Sequence, residues 1–157
     1  MTYYSNVNTN RVLLAPELRT ISDLQTLAIE KYQSGRYQEA IDAYRKSLAL
    51  HEDWESYKGL GWALYCSHKY QEAIDAYRKS LALHEDWESY KAIGWALYRS
   101  QQYQEAIEIF NKSLSLNEDW ESYKGLGCAL YYSQQYQEAI DAFRKSPALN
   151  DDTELQC

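Results

Sequence analysis

Cysteine is scarce in this sequence, with three residues among 157. Cys66, Cys128 and Cys157 are odd in number, show no paired spacing, and form no metal-ligand pattern with the three histidines. This usage is typical of structural thiols in a reducing compartment, so we expect a cytoplasmic protein.

Long apolar runs and long basic runs are also absent. The longest apolar run near the N-terminus is Val12 to Ala15, which is too short for a signal peptide. No stretch reaches the length that a membrane-spanning helix needs. The formal net charge of -7 argues against a surface that follows phosphate backbones. We therefore predict neither a membrane nor a nucleic acid as partner.

Catalytic signatures are missing as well. No serine or cysteine nucleophile stands beside a histidine in a recognisable context, and the carboxylates repeat as surface pairs instead of converging on one site. The strings 59–61 and 125–127, both Gly-Leu-Gly, lie in predicted helices without the strand and turn of a phosphate loop. The sequence predicts no enzyme, no cofactor and no metal site.

What the chain does contain is a repeat of 33 residues. Trp54, Trp87 and Trp120 each stand in the string Glu-Asp-Trp-Glu-Ser-Tyr-Lys. A fixed period of this size is typical of a solenoid, in which each unit buries its apolar face by stacking on its neighbours. The period predicts an N-terminal arm that caps the first unit, four units and a short tail, at residues 1–20, 21–53, 54–86, 87–119, 120–152 and 153–157.

Each unit is predicted to be a pair of helices, because apolar residues recur in it at steps of three and four. The break between the helices falls at Ser67 to Lys69 and at the equivalent positions, and Asp53, Asp86 and Asp119 stand where helix N-caps belong. The predicted fold class is all-α, an α-solenoid of stacked antiparallel helix hairpins. Recurrent small residues are expected in its core: Gly61, Gly94, Gly127, Ala63, Ala96, Ala129, Ala73, Ala106 and Ala139.

The spacing of the second unit is that of a known signature. Its Tyr57, Leu60-Gly61, Leu64, Ala73 and Tyr77 resemble the tetratricopeptide repeat, and the third and fourth units repeat the match over roughly residues 21–152. The resemblance implies a right-handed superhelix whose first helices line a concave groove. The unit is one residue shorter than the family's usual 34 and lacks its terminal proline. Ankyrin arrays share the period, but their Thr-Pro-Leu-His motif is missing.

Two prolines carry positional information. Pro147 occupies the place held by leucine in the earlier units. Proline inside a helix removes a backbone donor and costs about 3 kcal/mol, so the last helix is predicted to end near Ser146. Pro16 is placed to open a helix that covers the N-terminal edge.

The resemblance also implies a binding groove rich in aromatic residues. We expect a protein or peptide partner, extended or helical, to be anchored there on the rings, because tryptophan and tyrosine concentrate binding energy. The lysines and Arg99 would fix its polar groups. A clamp for acidic C-terminal tails is not expected, since Trp62, Trp95 and Cys128 stand where asparagine would be needed. The predicted groove residues are Tyr32, Lys58, Trp62, Tyr65, Lys91, Trp95, Tyr98, Arg99, Lys124, Tyr131 and Tyr132.

Simpler interpretations of these residues stay open. Glu55 and Lys58, like the equivalent pairs in later units, are three apart and can pair within their helix. Lys58 and Trp62 are four apart and can stack as cation and ring. Trp62 and Trp95 can also belong to the core.

Alternative functions stay open too. The chain can be a self-assembling module, a homodimer or higher oligomer, since residues 152–157 are too few to cover the last unit. It can be a regulatory repeat segment of a larger protein. A small-molecule or sugar site in the groove is a third alternative.

Overall fold

The chain folds into stacked helix hairpins. A computed structural model describes the backbone of residues 8–146 and the side chains of residues 20–146. This range contains eight α-helices and no strand, each odd-numbered helix pairs with the next, and each hairpin packs on its successor. The predicted all-α solenoid is confirmed. The helices are α1 Asn8–Gln33, α2 Tyr37–Leu50, α3 Trp54–Cys66, α4 Tyr70–Leu83, α5 Trp87–Arg99, α6 Tyr103–Leu116, α7 Trp120–Tyr132 and α8 Tyr136–Lys145.

The first helices α3, α5 and α7 begin at aspartates that cap them. The backbone N–H of Ser89 donates to Asp86 Oδ1 at 2.9 Å. Asp53 and Asp119 accept in the same way from residues 56 and 122, at 2.7 and 3.1 Å. Each aspartate satisfies a backbone donor that the first turn leaves free, so the predicted N-caps are confirmed.

Each hairpin turns through one residue with left-handed backbone. The φ angle is 74° at Gly35, 60° at His68, and 64° at Gln101 and Gln134. In the third hairpin the N–H of Gln102 donates to the Leu97 carbonyl at 2.9 Å, and that of Gln101 to the Tyr98 carbonyl at 3.0 Å. This pair of bonds is the Schellman motif, which satisfies the last carbonyls of the helix. The predicted breaks are confirmed.

Of the two predictions about the end helices of the array, one is confirmed and the other is wrong. Helix α8 ends at Lys145, and Ser146 has the extended backbone (φ -84°, ψ 117°) that precedes a proline, so the predicted early stop is confirmed. Helix α1 begins at Asn8 and continues across residues 20 and 21. Pro16 therefore lies inside a helix, and the prediction that it opens one is wrong: an interior proline removes one hydrogen bond, and this helix continues through it. The predicted tail, 153–157, lies outside the described residues.

Rings from second helices lie against glycines of first helices. A Cβ on Gly61 would lie 2.8 Å from Tyr77 Cζ, and one on Gly94 would lie 2.7 Å from Phe110 Cε1. These distances are shorter than carbon atoms pack, so only glycine allows the close approach. All the predicted core glycines and alanines are buried.

Cysteine usage was predicted only in part. Cys66 carries a free thiol. Cys128 is fully buried and disulfide-bonded, so the expectation of structural thiols is wrong for it, because spacing along the chain does not report distance in the fold. Cys157 lies outside the described residues. Within those residues, no helix has the length and apolarity to cross a membrane.

Candidate functional site

A cavity of about 440 Å³ lies between α3 and α5 on the face that the first helices form. We call this surface the first-helix face. Five of the predicted groove residues line the cavity: Lys58, Trp62, Tyr65, Lys91 and Trp95. Its remaining lining residues are Tyr77, Glu88, Ala92 and Glu121.

The two tryptophans of this cavity are buried to different extents. Trp62 is 45% exposed, so its interpretation as core is wrong. Trp95 is half-buried, and its ring meets Phe110 edge-on with centroids 5.5 Å apart, so it belongs partly to the core. Each indole also meets the tyrosine three residues later edge-on, at 5.8 Å for Trp62 and 5.7 Å for Trp95. Such edge-to-face contacts hold rings in fixed orientations.

Ion pairs between successive units form one wall of the cavity. Lys58 Nζ lies 3.1 Å from Asp86 Oδ1 and 2.5 Å from Glu88 Oε2. One unit later, Lys91 Nζ lies 3.7 Å from Asp119 Oδ1 and 2.7 Å from Glu121 Oε2. In the first unit Gln25 takes the lysine's place, and its Nε2 donates to Asp53 Oδ2 at 3.2 Å and to Ser56 Oγ at 2.9 Å. We call this series the lysine ladder: Gln25, Lys58 and Lys91 with their acceptors.

Within the lysine ladder, the contacts between Lys58 and Asp86 favour the charged forms of these two groups. Burial alone would raise the pKa of Asp86, but the hydrogen bonds from Ser89 and Lys58 outweigh it and lower that pKa. Burial likewise would lower the pKa of Lys58, but its hydrogen bonds to Glu88 and Asp86 raise it. Lys58 and Asp86 are therefore a charged pair at neutral pH.

The ion pairs of the lysine ladder differ from the pairs within one helix that the sequence suggested. Each lysine pairs with the glutamate of the next unit instead of the one three residues before it, because stacked first helices bring those groups together. Lys58 and Lys91 also lie over Trp54 and Trp87, with Nζ 5.9 and 4.8 Å from the ring centroids. Stacking of Lys58 on Trp62 is not found, since long helical side chains lean toward the N-terminus.

Four lining residues lie outside the predicted groove list, and Tyr77 is the one among them that does not come from a first helix. It comes from α4, is fully buried, and lines the cavity behind the first helices. Burial raises its pKa well above the ordinary value. Within the described residues its Oη has no hydrogen-bond partner. The signal was available, because Phe110 and Phe143 hold the equivalent places in later units, and a buried hydroxyl usually requires a partner.

The remaining predicted groove residues do not line the cavity. Tyr98 and Tyr132 have ring centroids 5.8 Å apart, and Tyr132 stacks on Tyr103 at 5.3 Å. Tyr131 lies next to them and is 52% exposed. Arg99 is exposed, and its Nε donates to Tyr70 Oη at 3.4 Å. Tyr32, in the first unit, contacts Tyr37 and Cys66, and Lys124 lies half-buried on α7.

The side-chain groups that hold metal ions in proteins combine histidine, cysteine and carboxylate ligands. Among the described residues, no three histidine, cysteine, aspartate or glutamate side chains are grouped to hold a metal ion.

Similar solved structures share the fold. A crystal structure of MamA is 24% identical, with a TM-score of 0.79 over 89% of this chain and 84% of that one. A second crystal structure of MamA protein is 23% identical, with a TM-score of 0.78 over 93% and 83%. MamA 41-end from Desulfovibrio magneticus RS-1 is 22% identical, with a TM-score of 0.78 over 85% and 78%. At these identities the likeness shows the fold alone.

Family models match most of the chain. The tetratricopeptide repeat model matches residues 26–86, and the model of the anaphase-promoting complex, cyclosome, subunit 3 matches residues 66–146. No curated protein sequence gives a significant match. Since the repeat signature, the stacked hairpins and these matches agree, the chain belongs to the tetratricopeptide repeat family.

Proposed function

We propose that this chain is a non-enzymatic scaffold that binds a peptide or a partner helix on its first-helix face. The observation that carries the proposal is the cavity of about 440 Å³ between α3 and α5, lined by Trp62, Tyr65 and Trp95. A cavity of this size accepts one or two side chains of a partner segment. The cytoplasmic location expected from the sequence is a separate proposal, against which the disulfide at Cys128 argues, and cell fractionation tests it.

The rings suit the role of anchors. Trp62 exposes 45% of its surface, so burying it against a partner removes much apolar area from water. Its edge-on contact with Tyr65 holds the ring before binding, which reduces the entropy that ordering would cost. The rest of the predicted groove, from Tyr32 to Tyr132, would extend the contact on either side.

Affinity capture from the native cell extract tests the proposal. Trp62→Ala is the informative variant, because its ring is the more exposed of the two and its loss leaves the core packed. Trp120→Ala is the matched control, since Trp120 is 49% exposed and lies outside the cavity lining. We expect the first variant to lose partners that wild type and control retain. Equal capture by all three folded proteins would contradict the proposal.

Self-assembly is a second candidate function, favoured by the open edge of the last described hairpin. Ile140 is 45% exposed, whereas its equivalent Ile107 is 8% exposed beneath the next unit. Tyr136 is 55% exposed, while its equivalent Tyr103 stacks on Tyr132. A second copy of the chain, stacked on this edge, would bury the same groups.

Sedimentation at several protein concentrations tests self-assembly. We expect a concentration-dependent oligomer that Ile140→Glu with Tyr136→Glu converts to a monomer. Glu substitutions at the exposed residues Gln101 and Gln104 serve as controls for added charge. A strict monomer at every concentration would exclude this candidate.

A further inference from the structure

We infer that the cavity between α3 and α5 binds a basic side chain, an arginine or lysine of the partner, with its cation on the rings of Trp62 and Trp95 beside Glu88. The inference rests on the proposed function, because it names the chemistry of the segment that the same cavity accepts. Three features of the described residues support it: rings without a cation of their own, the charge of the wall and the buried groups behind it.

The rings of the cavity have no cation of their own. Among the described residues, lysines lie over the rings of Trp54, Trp87, Tyr57, Tyr90 and Tyr123. None lies over the cavity rings. The electron-rich faces of indole attract a cation, most strongly where the site excludes water. The rings of Trp62 and Trp95 share this lack of a cation with other rings such as that of Trp120, but they also line a cavity that can hold one.

The wall of the cavity is net negative. The charged residues that line the cavity, Lys58, Lys91, Glu88 and Glu121, balance one another, and the N-cap carboxylates of Asp86 and Asp119 behind the two lysines bring the net charge to -2. The N-termini of α5 and α7 each contribute about half a positive charge and leave about -1. The side chains of Glu88 and Glu121 are 55% and 43% exposed, so they remain accessible to a second cation. An acidic guest, by contrast, meets lysines that are 20% and 19% exposed and that each already contact two carboxylates.

Long-range electrostatics acts in the same direction as the wall. The chain carries a formal net charge of -7, which raises the local concentration of basic segments and speeds their encounter.

Two buried polar atoms behind the rings can complete the binding of a peptide. Tyr77 Oη and Trp95 Nε1 both lack a hydrogen-bond partner within the described residues. An N–H of a guanidinium or ammonium group that reaches Tyr77 would donate to its oxygen. The indole N–H of Trp95 can only donate, so it requires an acceptor, which a backbone carbonyl of the same segment supplies.

Three capped pentapeptides test the inference. Each has alanine at the outer positions, and the central residue is arginine, citrulline or glutamate. Citrulline has nearly the shape of arginine without its charge, so it separates the cation from the fit. Binding is followed by NMR of the five tryptophan indole N–H signals, assigned with single Trp→Phe variants. Trp120 lies outside the cavity lining and serves as the internal control, whereas Trp54 and Trp87 lie under Lys58 and Lys91, which line the cavity.

We expect the arginine peptide to shift the signals of Trp62 and Trp95 saturably and to leave the signal of Trp120 in place. The citrulline peptide should bind about tenfold more weakly, as loss of one partly desolvated cation contact implies, and the glutamate peptide should cause no shift. Equal affinity of arginine and citrulline peptides, shifts that leave Trp62 and Trp95 unaffected, or no shift with any peptide would overturn the inference.

Variants of the wall and of Tyr77 give a second measurement. Glu88→Gln should weaken the arginine peptide severalfold, whereas Glu105→Gln, which lies on α6 and pairs with Arg78, should leave its affinity unchanged. Tyr77→Phe should weaken the same peptide without lowering the unfolding temperature, because Phe110 and Phe143 already fill equivalent places. Wild-type affinity in both Glu88→Gln and Tyr77→Phe would contradict the inference.

The inference and the proposed function can fail separately. If the citrulline peptide shifts Trp62 and Trp95 as strongly as the arginine peptide does, the cavity still accepts a peptide and only its preference for a cation is wrong. If no pentapeptide binds, but Trp62→Ala alone loses partners in the capture experiment, the proposed function stands without this inference.

Discussion

A single left-handed residue closes each hairpin, and three of the four are not glycine. Outside glycine this backbone conformation costs about 1 kcal/mol, because the Cβ approaches the following carbonyl oxygen. Gln101 and Gln134 are exposed at these positions. The Schellman bonds around them come from the backbone, so a glycine would keep the bonds and remove the strain.

We predict that Gln101→Gly and Gln134→Gly each raise the free energy of unfolding, by about 0.5 to 1 kcal/mol. Chemical denaturation measures the change. Gly35→Ala is the reverse test and should lower the same quantity by about 1 kcal/mol. A Cβ at Gly35 would meet no heavy atom within 4 Å, so its cost reports the backbone alone. Loss of stability in the glycine variants would show that the turns are not strained.

A tyrosine within the array makes stability sensitive to alkaline pH. Burial, with Tyr132 beside it, raises the pKa of Tyr98 to about 12, from an ordinary value of about 10. Since the folded-state pKa is the higher one, this contribution to stability is complete below pH about 10 and is lost as the pH rises toward 12.

We therefore predict that Tyr98→Phe reduces the loss of unfolding free energy between pH about 10 and about 12. Denaturation curves at several alkaline pH values measure the slope. Tyr131→Phe is the control, because Tyr131 is the equivalent residue of the next unit and is 52% exposed. The attribution to Tyr98 would be wrong if both variants kept the wild-type slope.

At the scale of helices, sequence patterns located elements better than they located contacts between elements. The caps at Asp53, Asp86 and Asp119 and the turn residues act on their own backbone, so the linear pattern was sufficient to find them. The period of 33 then placed Trp62 and Trp95 on one face. Tyr77 and the lysine ladder were missed, because their roles depend on which helix lies beside which, and that is set by stacking.

The lysine ladder gives a quantitative test of this distinction. A double-mutant cycle with Lys91→Met and Glu121→Gln should give a coupling of about 0.3 to 1 kcal/mol, the range of accessible ion pairs. A parallel cycle with Lys91→Met and Glu88→Gln should give almost none, although the two residues are three apart on α5. A larger coupling of Lys91 with Glu88 than with Glu121 would instead support pairing within the helix.

At the scale of the whole molecule, position in the array decides what a side chain contributes. Ile107 and Ile140 are equivalent residues, yet one is 8% exposed and the other 45%. We predict that Ile107→Ala lowers the free energy of unfolding by about 2 to 4 kcal/mol, and Ile140→Ala by less than about 1 kcal/mol. Equal losses, measured in dilute solution, would mean that the edge of α8 is covered there.

The ion pairs between units have a further consequence for how the number of repeats can change in evolution. Each lysine of the ladder contacts acceptors that lie 28 and 30 residues later in the chain. Both acceptors stand at the start of the next first helix, one repeat further on. Excision of residues 87–119 would therefore leave Lys58 paired with Asp86 and bring Glu121 to the place of Glu88, with the old geometry restored at the junction. Cys128 would then stand where Trp95 stands now. Unequal recombination between these similar gene segments can thus add or remove whole units while the contacts between neighbouring units are kept. It would at the same time change which aromatic side chains line the binding cavity.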